Sequence, residues 1–164
     1  MGRDIDPNGE IVVTCGSTEA MMAAMMTVAN PGDKVVIFSP FYENYSADTI
    51  LSGAVPIYVP LTPPSFTFDP ERARGRVPPA PQGSSCCATP RTHCGKVFTR
   101  EELEIIAGLA KKYDVYVITD EVYEHIIYAR TAHLFSLTLP DMWERTLSCS
   151  SLSKTYSITG WRLG

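Results

Sequence analysis

Three short stretches carry side chains able to do chemistry, and each directly follows an apolar or β-branched run. Gly16-Ser17-Thr18 stands between such a run and a helix-like segment. There, backbone N–H groups and hydroxyls could hold a phosphate, or could simply cap the helix. Asp120 ends a second apolar run, where it suits a metal ligand, a catalytic acid or an N-cap. Lys154 lies among the hydroxyls of Ser151, Ser153 and Thr155. A lysine amine can attack a carbonyl or move protons, and it can equally be a surface charge. In open α/β sheets ligands sit beyond the carboxyl ends of the strands. The three stretches are therefore expected to face one composite site.

The elements that must position them alternate between strand and helix patterns. Residues 10–14 form a short β-branched run, and residues 20–29, with Met21, Met22, Met25 and Met26, read as a buried helix. Asn30-Pro31-Gly32-Asp33 is a turn signal, residues 34–38 a buried strand, residues 41–52 a helix stopped by Gly53, and residues 55–61 a further strand. Residues 99–113 open with Thr99 and carry Glu102 three positions on, a capping-box pattern. Leu103, Ile106, Leu109 and Ala110 then recur at helical spacing. Strands are expected at residues 116–119 and 146–149. Strands separated by helices predict an α/β domain with a largely parallel sheet. Residues 72–94, rich in Pro, Arg, Ser, Gly and Cys, break the pattern and read as a loop.

Bulk properties narrow the class. With 164 residues, 45% hydrophobic and 20% charged, the chain has a soluble globular profile. A net charge of −4 offers no basic footprint for nucleic acid and no polybasic membrane segment. The apolar run at 20–29 is too short to span a bilayer, and the first residues lack the apolar core of a secretory signal. Asp6 stands where a myristoylation signal needs Ser or Thr. Five cysteines make no disulfide framework, so free thiols and a cytoplasmic location are expected. Cys86, Cys87, His93 and Cys94 could be drawn as a zinc cluster, but adjacent cysteines chelate poorly and no metal is expected. Neither the G-x-G-x-x-G dinucleotide fingerprint nor a P-loop is present.

The motifs gain meaning in combination. Ser150-Ser151-Leu152-Ser153-Lys154-Thr155-Tyr156, followed by Gly160-Trp161-Arg162, resembles the cofactor-lysine signature of class I/II aminotransferases. Thr119-Asp120-Glu121-Val122-Tyr123 resembles the segment of that family that contacts the cofactor ring. Ser39-Pro40-Phe41-Tyr42-Glu43-Asn44-Tyr45 and Thr14-Cys15-Gly16-Ser17-Thr18-Glu19-Ala20 resemble two further blocks, in the family's order. The resemblance implies a three-layer α/β/α domain with a mostly parallel sheet and a pyridoxal 5′-phosphate (PLP) cofactor. Lys154 would hold PLP as a Schiff base and move the substrate proton, Asp120 would pair with the pyridine nitrogen, and Tyr123 would hydrogen-bond the ring oxygen. Tyr42 would stack on the ring. Ser17, Thr18, Ser151 and Arg162 would hold the phosphate, Arg162 through its two-pronged guanidinium. The implied reaction is amino transfer from an amino acid to a 2-oxo acid, with a carbon–sulfur β-lyase of the same fold or a non-catalytic relic as alternatives. Tyr45, Glu19, Glu121, Glu124 and His125 read as structural.

Three departures from the family pattern shape the expected domain organisation. Where the family has an apolar strand and an Asn-Pro-x-Gly turn, this chain has Ala88-Thr89-Pro90-Arg91-Thr92-His93-Cys94-Gly95, with Thr92 at the Asn position. A local reading-frame slip between about residues 74 and 94 would give this composition with intact flanks. The family's N-terminal arm and C-terminal small domain have no counterpart in the 164 residues, which read as part of the large, PLP-binding domain. The complete protein is expected to be a homodimer, and this portion alone to have little activity.

Overall fold

The computed structural model describes residues 4–77, 95–128 and 133–164. Helix α1 (Gly16–Val28) leads into strand β1 (Lys34–Ser39), and helix α2 (Glu43–Leu51) into strand β2 (Val55–Pro60). A short helix α3 (Pro70–Arg74) and the long helix α4 (Arg100–Tyr113) precede strand β3 (Val117–Asp120) and strand β4 (Thr146–Cys149). β1 and β2 pair in parallel from Lys34↔Val55 to Ser39↔Pro60. β3 and β4 pair in parallel from Val117↔Thr146 to Asp120↔Cys149. The expected α/β class with parallel strands is what the described residues form.

Alternation along the strands separates two cores. Val36 and Phe38 of β1 and Val117 of β3 join Leu103, Ile106, Ala107 and Ala110 of α4 on one face. Val35 and Ile37 of β1 and Ile118 of β3 join Met21, Met25 and Val28 of α1 and Tyr45 of α2 on the other. Successive strand residues point to opposite faces, so strands buried on both sides carry the unbroken apolar run Val35–Phe38. β1 and β3 thus supply both cores, with α1 and α2 covering one face and α4 the other. Phe38, Phe68 and Phe98 close the α4 side as an aromatic triad, with ring centroids 5.0, 5.6 and 6.2 Å apart.

Helix α4 begins as its residues dictate. Glu102 N donates to Thr99 Oγ1 at 3.2 Å and Thr99 N donates to Glu102 Oε2 at 2.9 Å, a reciprocal capping box. Lys111 and Lys112 lie in its last turn, where cations complement the helix dipole.

Two expectations need correction. Residues 10–14 form no strand: Ile11, Val12 and Val13 are 51%, 80% and 73% exposed, and the nearest ladder contact is an isolated antiparallel bridge between Cys15 and Leu163. β-branched residues favour a strand only where a neighbouring strand is available to pair. Residues 72–74, read as loop, complete α3. Pro70 fits the first helical position, and Asp69 caps it by accepting from Glu71 N at 2.9 Å and Arg72 N at 3.4 Å. The stretch 78–94, with Thr92 and the Cys86, Cys87, His93 and Cys94 group, lies outside the described residues.

No helix among the described residues is long and apolar enough to cross a membrane. Thr99→Ala is expected to cost about 1 kcal/mol of stability, and Ile106→Ala about 3 kcal/mol by opening a cavity against Phe38 and Val117. Urea unfolding followed by circular dichroism reads both. A Thr99 variant as stable as the parent would show that the capping box contributes nothing.

Candidate functional site

Strands β3 and β4 end side by side, and Thr14, just before α1, is stitched to Gly164. Thr14 N donates to Gly164 O at 2.9 Å, and Gly164 N donates back to Thr14 O at 3.1 Å. That pairing carries Arg162 to the start of α1. Its Nη2 donates to Cys15 O at 3.2 Å and to Thr18 Oγ1 at 3.4 Å, and its Nη1 donates to Thr159 O at 3.3 Å. Gly16 opens the helix at φ +77°, and a Cβ there would run into the Arg162 guanidinium. At Gly164 a Cβ would meet the Gly16–Ser17 backbone.

This end of α1 has the makings of an anion cradle. Its N-cap residue, Cys15, makes no side-chain capping bond, so the N–H groups of the first turn gain no partner from it. The Glu19 carboxylate accepts from Cys15 N, outside that turn, in keeping with a helix-end role. Ser17 is half-buried at the second helical position, beside the exposed Thr18. First-turn N–H groups, the helix dipole, two hydroxyls and a guanidinium suit a phosphate.

The loop after β4 presents Lys154. Ser153 N donates to Ser151 Oγ at 3.3 Å, Thr159 Oγ1 to Ser153 O at 3.3 Å, and Leu152 N to Leu163 O at 3.3 Å. Ser150 Oγ donates to Glu124 Oε1 at 3.0 Å, which ties this loop to the one after β3. Lys154 is exposed, with Nζ 5.7 Å from the centroid of the half-buried Tyr123 ring. Lys154 and Tyr123 thus come together, as do Arg162 and Thr18. Ser151 is buried and engaged with Ser153, within the same loop as Lys154.

Asp120 closes β3, 8% exposed. Its Oδ1 accepts from Val122 N at 3.2 Å and its Oδ2 from the Tyr45 hydroxyl at 2.6 Å. Burial pushes its carboxyl above the ordinary aspartate range and the charge of Glu121 adds to this, while the Tyr45 and Val122 bonds and the Lys154 charge pull it back. Beside it on β4, burial and then the charges of Asp120 and Glu121 push the Cys149 thiol up to about 12. Cys149 therefore stays a neutral thiol inside the core.

Sequence reasoning missed Tyr45. It is 1% exposed, and its hydroxyl holds Asp120 from 75 positions away. Tyr42, just before α2, packs edge-on against Tyr45 with ring centroids 6.0 Å apart. The i, i+3 spacing of the two rings was the available signal. Glu121 is buried and lies 2.9 Å from His133, in keeping with a structural role. Glu124, read as scaffold, also anchors the Lys154 loop through Ser150.

The raised Asp120 value sets a pH dependence. The folded chain binds this proton more tightly than the unfolded chain, so the contribution is fully present below the ordinary aspartate pKa. It is lost as pH rises through the raised folded value. Asp120→Asn removes the buried charge and keeps the shape. At neutral pH it is expected to raise the Tm by a few degrees, with no gain at low pH. An equal Tm change at both pH values would show that the charge is not the cause.

Comparison with known proteins identifies the family. The model of the family described as "Aminotransferase class I and II" matches residues 2–164. Kynurenine–oxoglutarate transaminase 3 of Mus musculus is 40% identical over 172 residues, covering 99% of this chain and 38% of that protein. The solved N-succinyldiaminopimelate aminotransferase of Mycobacterium tuberculosis superposes with a TM-score of 0.92 at 37% identity, covering 100% of this chain and 43% of that one. YbdL of Escherichia coli, described with a methionine aminotransferase function, superposes with a TM-score of 0.92 at 32% identity, covering 99% and 43%. The chain thus spans about two fifths of the length of these proteins. With parallel strands β3 and β4 leading to Asp120 and to the Lys154 loop, and Arg162 closing the start of α1, the chain belongs to the class I and II aminotransferase family.

Proposed function

We propose that this chain is the cofactor-binding part of a PLP-dependent transaminase that passes an amino group from an amino acid to a 2-oxo acid. One observation carries the reading: the accessible Lys154 amine acts by its charge on the buried Asp120 at the end of β3, and its loop is bonded, Leu152 N to Leu163 O, to the stretch that brings Arg162 to Thr18. The donor set fits PLP, which needs an amine for its aldehyde, an anion for its pyridine nitrogen and a cationic helix terminus for its phosphate. When bound, PLP supplies an electron sink for the negative charge left at an amino acid's Cα.

Each residue has a task of its own. Lys154 would hold the group through its amine and, when released from it, move the proton at the substrate Cα. Tyr123, whose ring lies near the Lys154 amine, would donate to the ring oxygen. Asp120 would hold a proton on the ring nitrogen. Tyr42, at the head of α2, would cover the ring face. Ser17, Thr18, Ser151 and Arg162 would hold the phosphate, with Thr18 and Arg162 already hydrogen-bonded.

The relatives are named for kynurenine, N-succinyldiaminopimelate and methionine. They share amino transfer and differ in the compound named, so the substrate class proposed here is an amino acid with a 2-oxo acid acceptor. Homodimer formation belongs to the same proposal. The exposed apolar residues Ile11, Val12, Val13 and Trp161 support it, because apolar surface of this kind suits a covering partner.

Borohydride reduction of the PLP-loaded protein is expected to fix the label on the peptide carrying Lys154. Label on another lysine would overturn the assignment. Arg162→Ala is expected to weaken PLP binding about 30-fold while pyridoxal without phosphate binds as before, since a charge-assisted bond contributes about 2 kcal/mol. Equal loss for both ligands would remove Arg162 from the phosphate site.

A further inference from the structure

Asp120 faces two opposed demands. It sits at a buried strand end beside the apolar Ile118 and Cys149, and in the proposed reaction it has to be an anion. Burial alone favours the neutral acid, and a neutral acid cannot hold a protonated ring nitrogen. Some group of this chain has to offset that penalty before a cofactor arrives.

Tyr45 is built for this. Its ring belongs to the core formed by Met25, Val35, Ile37 and Ile118, and its hydroxyl reaches Asp120 Oδ2 at 2.6 Å, a charge-assisted length. The backbone beneath it is secured: Tyr45 N donates to Tyr42 O at 3.1 Å, and Thr49 Oγ1 donates to Tyr45 O at 2.7 Å. Val122 N occupies the other oxygen, so the carboxylate is gripped from two elements at once. Tyr42 and Tyr45 also sit at one end of α2 with their rings in contact. One helix end therefore governs both a candidate ring-stacking side chain and the carboxylate.

We infer that Tyr45 is a positioning residue whose phenol O–H holds Asp120 as a single-rotamer carboxylate, ready to accept a protonated ring nitrogen. The inference rests on the cofactor reading above and deepens it. Tyr45 need not touch the cofactor, because it acts through Asp120. Its role therefore depends on the ligand having a ring nitrogen, which a purely structural tyrosine would not require.

The test uses the protein expressed from its own gene and two probes: PLP, and the analogue in which the ring nitrogen is replaced by C–H. The parent protein is expected to prefer PLP. Tyr45→Phe, which keeps the ring in the core, is expected to cut that preference about tenfold and leave analogue affinity unchanged. Incorporating 3-fluorotyrosine at position 45, a stronger donor of nearly the same shape, is expected to raise the preference. An unchanged preference in Tyr45→Phe overturns the inference while PLP binding stands. If Tyr45→Phe does not fold, the fluorinated protein decides, and an unchanged preference there overturns the inference. A parent protein that binds neither probe overturns the inference and the cofactor reading together.

Discussion

A carboxylate kept at the buried end of a strand is the constraint on which the rest of this chain turns. Asp120 is costly where it stands, and the surrounding elements each contribute to keeping it there. β3 delivers it, the Val122 N–H and the Tyr45 hydroxyl hold its two oxygens, and Lys154 supplies positive charge from the loop after β4. A charge held against burial weakens the fold, and in the proposed reading it is kept for the cation it would bind, the usual trade between stability and function. The apolar packing of Val35, Ile37, Ile118 and Met25 around the Tyr45 ring supports that arrangement.

How much of this was legible in the sequence depends on the range of each signal. Helix α4 could be read from its own residues, because Thr99, Glu102 and the apolar positions that follow lie within a few turns of one another. β1 could be read because Val35–Phe38 is apolar on both faces, which only a twice-covered strand requires. Residues 10–14 misled, since Val12 and Val13 have strand-forming shapes but no neighbouring strand among the described residues.

The site divides in the same way. Lys154, Asp120 and the Gly16–Thr18 turn stood out because each follows a strand or opens a helix, and their residue types are chemically distinctive. The bond from Tyr45 to Asp120 spans 75 positions and the Arg162 bond to Cys15 spans 147, and no local pattern encodes such pairs. Tyr45 also looks like any core aromatic until its hydroxyl is seen to have a carboxylate in reach. Glu124 was hidden for the same reason, as its partner Ser150 lies 26 positions on.

The stitching of Thr14 to Gly164 has a consequence for the order of events in the cell. The helix terminus that would receive a phosphate is synthesised well before the guanidinium that completes it, 147 positions separating Cys15 from Arg162. A nascent chain therefore carries an open, half-made cradle until Arg162 has been added. In the proposed reading, a phosphate would find a complete berth only after residue 162 has emerged and folded back to the start of α1.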